Sequence, residues 1–194
     1  MPGPGSRAAY FGDKPPIDAA SVDLTKKWHR YNMRRLAASG NLATPLTGIM
    51  LSTPMFFRKG EIITTLTLVS GGTAAVTPTH WWYALYDTAA IPNLLAQSAD
   101  QLTAAFGADT AFPLDLASKI RIPADGHYWA SFLMTAGTMP TLTGAVAPRA
   151  GAAAAIVTGE KALAVSSGSG LTGTAPATIA TPTTLATVPL VVAT

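Results

Sequence analysis

The alternation of apolar and polar positions changes character at about residue 46. From there on, short apolar runs recur at intervals of about 8–12 residues with turn residues between them, the spacing of an all-β sandwich or barrel. Leu46–Ser52 is the first run. Glu61–Ser70 is rich in β-branched residues, stops at Gly71-Gly72 and is the clearest strand. His80–Asp87 is dense in aromatics, and Leu94–Ser98 follows a turn carrying Pro92-Asn93. Ala111–Leu116 and Lys119–Ile122 are shorter candidates, Gly126–Thr135 is a second aromatic strand, and Val188–Ala193 closes the chain. The pattern predicts an all-β fold, a β-sandwich or jelly-roll-like domain over residues 46–194, preceded by an extended arm and one short helix.

Residues 1–45 read differently. Pro2, Pro4, Pro15 and Pro16, with Gly3, Gly5 and Gly12, exclude a regular helix or central strand over residues 1–20. Tyr10, Phe11 and Ile17 are apolar positions inside this breaker-rich arm, which gains order by docking on something. A helix is expected over about residues 22–38. Ser21 or Asp23 can cap it, Leu24, Trp28, Tyr31 and Arg35 recur near helical spacing, and Ser39-Gly40-Asn41 provides a stop at which glycine or asparagine takes a left-handed conformation. Residues 137–187 are rich in Gly, Ala, Thr, Ser and Pro. They are expected to form long loops lying against neighbouring subunits, with a short strand at Ala154–Val157 and a flexible Ser166-Ser167-Gly168-Ser169-Gly170.

Composition sharpens the picture. The chain has 194 residues, enough to bury a core without staples, and no cysteine, so disulfides and thiolate metal sites are excluded. Charged residues make up only 12% of it, about half the usual share. A surface so poor in charge suits a protein partly covered by neighbours. The net charge of +3 is local, since Lys26, Lys27, Arg30, Arg34 and Arg35 fall close together. Their position toward the end of the expected helix has a structural explanation in the helix dipole, and a single basic helix is weak evidence for nucleic acid. The first residues lack the apolar stretch of a secretory signal, and no apolar run is long enough for a membrane-spanning helix.

Catalysis requires a constellation, and the sequence supplies none. His29, His80 and His127 stand in no metal-binding spacing, and the latter two begin aromatic strands, where a local hydrogen bond or a stacking contact is the ordinary role. Ser167-Gly168-Ser169-Gly170 has glycines but lacks the strand and helix of a nucleophile elbow. Asp87, Asp100 and Asp125 lie at strand ends or turns, where aspartate binds turn amides, and not in a pattern that marks an acid/base pair. No cofactor or metal is expected. The aromatics are more informative. Alternation sends Trp82, Ala84 and Tyr86 to one face of their strand and Trp81, Tyr83 and Leu85 to the other. One set is expected in the core and the other at an interface, with Trp81, Tyr83 and Trp129 as candidates for a subunit contact or for stacking on a glycan.

Several blocks carry a family resemblance. Trp82-Tyr83-Ala84-Leu85-Tyr86-Asp87, Leu95-Ala96-Gln97-Ser98-Ala99-Asp100-Gln101, Gly126-His127-Tyr128-Trp129, Gly137-Thr138-Met139-Pro140-Thr141-Leu142 and Gly170-Leu171-Thr172-Gly173-Thr174-Ala175-Pro176 follow in order. In these the chain resembles minor tail proteins, virion structural proteins of siphophages that infect actinobacteria. The resemblance covers residues 46–194, and none of its blocks is a catalytic signature. It implies a β-sandwich displayed on a phage particle, often as a homotrimer, among other virion proteins. The expected function is therefore non-enzymatic, a minor tail or tail-tip protein anchored through Tyr10, Phe11, Trp28, Arg30, Tyr31, Arg34 and Arg35. A capsid decoration protein or head fibre is the first alternative, a carbohydrate-binding host-receptor module the second, and a cell-wall hydrolase, which lacks a catalytic set, the third. Other virion proteins, further copies of the chain and a host cell-surface glycan are the expected partners, with neither nucleic acid nor membrane among them.

Overall fold

The computed structural model describes residues 29–43, 46–147 and 150–194. The chain is all-β. Its strands are β1 (Arg30–Tyr31), β2 (Ser39–Leu42), β3 (Met50–Phe57), β4 (Ile62–Val69), β5 (Val76–Tyr86), β6 (Leu94–Gln97), β7 (Ala111–Arg121), β8 (Gly126–Thr138), β9 (Leu142–Val146), β10 (Val165–Ser167), β11 (Thr183–Thr184), β12 (Thr187–Pro189) and β13 (Val191–Ala193). Among the described residues, helix is confined to a 3-10 turn at Arg35–Ala37 and one α turn at Ala150–Ala153.

Two antiparallel sheets face each other in a sandwich-like arrangement. One has the order β11-β10-β3-β8-β5-β6 and the other β1-β13-β4-β7. A third, small sheet has the order β12-β9-β2. The main core lies between the two large sheets. Leu51, Met55, Trp81, Tyr83, Leu85, Tyr128, Phe132 and Met134 enter it from the six-stranded sheet, and Ile63, Leu66, Leu68, Leu116 and Val191 from the other side. Phe106 stacks on Phe112 at 4.0 Å between ring centroids, and Trp81 meets both rings edge-on. Such offset and edge contacts add to the area each ring buries.

The long aromatic strands form at the expected places because their neighbours bury both of their faces. β5 and β8 pair along nearly their whole length, with Trp82 opposite Leu133 and Tyr86 opposite Trp129. Two of the shorter expected strands, Ala111–Leu116 and Lys119–Ile122, are a single strand, β7. Its register against β4 slips between Thr65↔Asp115 and Ile63↔Ile120, and within that irregularity the buried Leu116 bridges to Ser98 beside β6. The bulge thus brings the edges of the two sheets together.

The expected helix over 22–38 is not found where the chain is described. Residues 22–28 lie outside the described residues, and β1 and an extended Arg34 (φ −68°, ψ 132°) occupy the rest, before the 3-10 turn. Tertiary pairing overrides local propensity here. Arg30 and Tyr31 pair with Ala193 and Val192, and the Asn32 side chain clamps three segments. It donates to the Pro189 carbonyl at 2.8 Å and to Thr53 Oγ1 at 3.2 Å, and it accepts from the Val191 N–H at 2.9 Å. Residues 30–42 therefore belong to the sheets, and the boundary drawn at 45/46 does not separate an arm from a domain. Asn41 does take the left-handed conformation (φ 64°), but within β2, where its side-chain Oδ1 accepts from the Gly72 N–H at 2.6 Å.

The small sheet has one absolute requirement. A Cβ on Gly144, the middle of β9, would sit 2.1 Å from the Val188 carbonyl oxygen and 2.6 Å from Leu42 Cδ1. Backbone on one side and a buried side chain on the other leave no room. Gly144→Ala is expected to lower unfolding stability by about 1–3 kcal/mol, the usual cost of overpacking. Chemical denaturation followed by tryptophan fluorescence checks this, and an unchanged midpoint would refute the close approach.

Candidate functional site

The aromatic positions do not form an exposed platform. Trp81 and Tyr83 lie in the core between the sheets, and Trp82, Ala84, Tyr86, Trp129 and Leu133 form a second core on the opposite face of the same sheet. The expectation that one face of β5 would be exposed or form an interface is thus corrected, because residues 171–179 cover it. This segment has few large side chains, so its backbone lies flat on the sheet, and side chains of the sheet satisfy its carbonyls. Trp82 Nε1 donates to the Thr172 carbonyl at 2.6 Å, Gln97 Nε2 to Gly173 at 2.8 Å, the Tyr86 hydroxyl to Pro176 at 2.9 Å and Thr135 to Leu171 at 3.1 Å. Burial pushes the Tyr83 and Tyr86 phenols well above their ordinary range, so both stay neutral donors.

The segment expected to be flexible, 166–170, is also placed. Ser166 and Ser167 belong to β10, paired with β3, and Gly168 and Gly170 turn the chain at φ 73° and 61°. Ala154–Val157 is not a strand, and it leaves Ile156 three-quarters exposed.

Trp129 is only 6% exposed. The Lys161 ammonium lies 5.7 Å from its ring centroid and donates to the Thr88 carbonyl at 3.2 Å. A depression of about 270 Å³ lies beside it, with Glu160 and Lys161 in its lining. Glu160 is already occupied, accepting the Ile156 N–H at 2.8 Å. The Trp129 indole N–H is buried without an acceptor among the described residues. Trp81, Tyr83 and Trp129 are therefore not available for stacking on a sugar.

The histidines find local partners. His80 Nδ1 lies 2.6 Å from Asp100 Oδ2, and Asp100 Oδ1 accepts the Trp81 and Leu102 N–H groups at 3.1 Å each. Gly173 packs over this pair so closely that a Cβ would fall 2.5 Å from Asp100 Oδ2. An imidazole oriented by a carboxylate is two of the three members of a hydrolytic triad, but no serine or threonine hydroxyl is hydrogen-bonded to it among the described residues. His127 meets Phe56 edge-on at 5.2 Å, and His29 meets Tyr31 likewise. No group of three histidine or acidic residues suited to a metal ion occurs among the described residues. No helix among them is long and apolar enough to cross a membrane.

Asp87 and Asp125 bind turn amides, as expected of aspartates at such positions. Asp125 accepts the Lys59 N–H at 2.7 Å. Asp87 accepts the Ala89 and Asn93 N–H groups at 3.0 and 2.9 Å and the Asn93 amide at 2.9 Å. Partial burial opposes the Asp87 charge, but these bonds and the Lys161 charge outweigh it and hold its carboxyl below the ordinary range.

A groove of about 420 Å³ lies at one open side of the sandwich. Arg30, Tyr31, Asn32 and Met33 form one wall, and Thr53, Pro54, Phe56 and His127 the other. Ala37, Ala145, Val188 and Leu163 complete the lining. The groove exists because β10 pairs with β3 only at Met50–Ser52, so residues 53–57 of β3 have β8 on one edge and the groove on the other. Arg30 is tied to Glu61 by an ion pair, and Glu61 also accepts the Arg58 N–H at 2.8 Å. Phe56 is 39% exposed and Leu163 is exposed as well, while Leu36 on the nearby 3-10 turn is 87% exposed. Of the residues expected to anchor the chain, Arg30 and Tyr31 are in the groove, Arg34 and Arg35 are exposed beside it, and Tyr10, Phe11 and Trp28 lie outside the described residues. Sequence reasoning missed Phe56 and Pro54, and it gave His127 only a local hydrogen-bond or stacking role. The one signal for them was a proline inside an apolar strand, which marks a free edge.

No protein-family model matches the chain, and comparison with curated proteins finds no relative.

Two outcomes test this geometry. Trp81→Ala and Trp129→Ala are each expected to cost about 3–5 kcal/mol of stability, as for buried aromatics. Denaturant unfolding reads this out, and a loss near zero would put the rings back on the surface. Asp87 has a depressed folded pKa, so its stabilisation is complete above the ordinary 3.8 and is lost as pH falls through the lower, folded value. The stability difference between the parent chain and Asp87→Asn should therefore hold steady at neutral pH and shrink in acid. A difference that grows in acid would reverse the sign.

Proposed function

We propose that this chain is a non-enzymatic structural component of a bacteriophage particle, a minor tail or tail-tip protein. The observation that carries this reading is where the exposed apolar side chains lie. The aromatic sheet is sealed on both faces by the chain itself, while Phe56 and Leu163 stand exposed in a groove that Arg30, Tyr31, Asn32 and Met33 help to line. A chain with 12% charged residues that leaves Leu36, Phe56, Leu163 and Ile156 exposed is suited to being covered by neighbours. Its family resemblance to siphophage tail proteins names the kind of assembly. A carbohydrate-binding role loses support because its stacking candidates are buried.

The test is gold-labelled antibody against the chain on intact particles of the phage that encodes it, viewed by electron microscopy. Label at the tail end is the expected outcome. Label over the head would move the chain to a decoration protein or head fibre. Absence of the chain from the particles, by labelling and by mass spectrometry of their proteins, would sink the reading.

A further inference from the structure

We infer that the groove between Arg30–Met33 and β3 receives residues 10–17 of a second copy of this chain. Four features carry the inference. The first is the free edge. Pro54 has no N–H to offer, so this edge of β3 is a poor template for strand addition, and an occupant is held by side chains instead. The second is the lining. Tyr31, Met33, Phe56 and His127 make an aromatic and apolar surface of the kind that takes proline-bearing extended segments.

The third is the chemistry of the occupant. Tyr10-Phe11-Gly12-Asp13-Lys14-Pro15-Pro16-Ile17 offers three large apolar side chains, and its prolines bias it to extended backbone before it binds.

The fourth is reach. The described chain begins at His29, next to the groove wall, and the twelve residues from Ile17 to His29 span up to about 40 Å when extended. That is comparable with the diameter of a domain of this size, whose radius of gyration is about 16 Å. The segment can therefore cross to a neighbour's groove. The inference goes beyond the particle assignment, because exchange of this segment is a property of the purified chain wherever it resides.

The chain has no cysteine, so introduced thiols report without background. Full-length Ile17→Cys and full-length Ala145→Cys, mixed under mild oxidation, are expected to give a disulfide-linked dimer containing one of each. The double variant should give cross-links between chains. Cross-links confined within one chain in the double variant would show that the groove takes its own segment and would overturn the inference, as would no cross-linking. Phe56→Asp changes a partly exposed side chain, so its fold can be verified by an unchanged melting temperature. In that background the yield of mixed dimer should fall about tenfold, the effect of losing one central apolar contact. An unchanged yield would also overturn it. Particle labelling is independent of all these outcomes, so failure here and failure of the tail assignment are separable.

Discussion

The fold depends on burying both faces of one sheet with a single chain. Trp81 and Trp82 are adjacent, so they must point to opposite sides of β5, and neither side can be left wet without exposing a tryptophan. The first side is covered in the ordinary way, by a second sheet that supplies Leu66, Leu68 and Val191. The second has no sheet to cover it. It is covered by residues 171–179, which place main chain where another protein would place side chains. A cover of this kind works only if its peptide groups find partners, since an unpaired buried carbonyl costs about as much as a lost hydrogen bond. Trp82, Tyr86 and Thr135 each spend their one polar side-chain atom on the cover, and Gln97 spends both of its own, Nε2 on the Gly173 carbonyl and Oε1 on the Ala175 N–H.

This arrangement explains a composition that otherwise reads as loop. Small residues in 168–179 allow the chain to lie close, and at Gly173 a single added carbon would strike the Asp100 carboxylate. The His80–Asp100 pair under Gly173 is then part of the fastening, with Asp100 held by two backbone amides and one imidazole. Low complexity marks here a segment whose information lies in the residues it covers. Nothing in its own sequence distinguishes it from a linker, which is why sequence reasoning assigned 137–187 to loops and left β9, β10 and β11 unassigned.

The strands legible in the sequence were those with their own internal signal. Glu61–Ser70 and the two aromatic runs have both periodicity and β-branched or aromatic content, and they correspond to β4, β5 and β8. The roles of His80, His127 and Asp100 were legible because short-range chemistry fixes them. What failed was whatever a distant partner decides. Tyr31 and Arg35 fit a helical period, yet the C-terminal strand captures Arg30 and Tyr31, and Asn32 is locked by bonds to Pro189 and Val191. Likewise the exposure of an alternating strand face is set by a segment some 90 residues away in sequence, as the bond from Trp82 to Thr172 records.

The same clamp positions the groove. Asn32 joins β1 and β13 of one sheet to Thr53 of the other, so it holds the open side of the sandwich at a fixed width while leaving residues 53–57 of β3 unpaired on that side. An edge of this kind invites uncontrolled pairing, and Pro54 suppresses it by removing a donor where a new strand would need one. The result is a surface that is apolar and concave yet poor at strand addition. Such a surface distinguishes an occupant by its side chains, and it turns an edge that would otherwise promote aggregation into a defined contact.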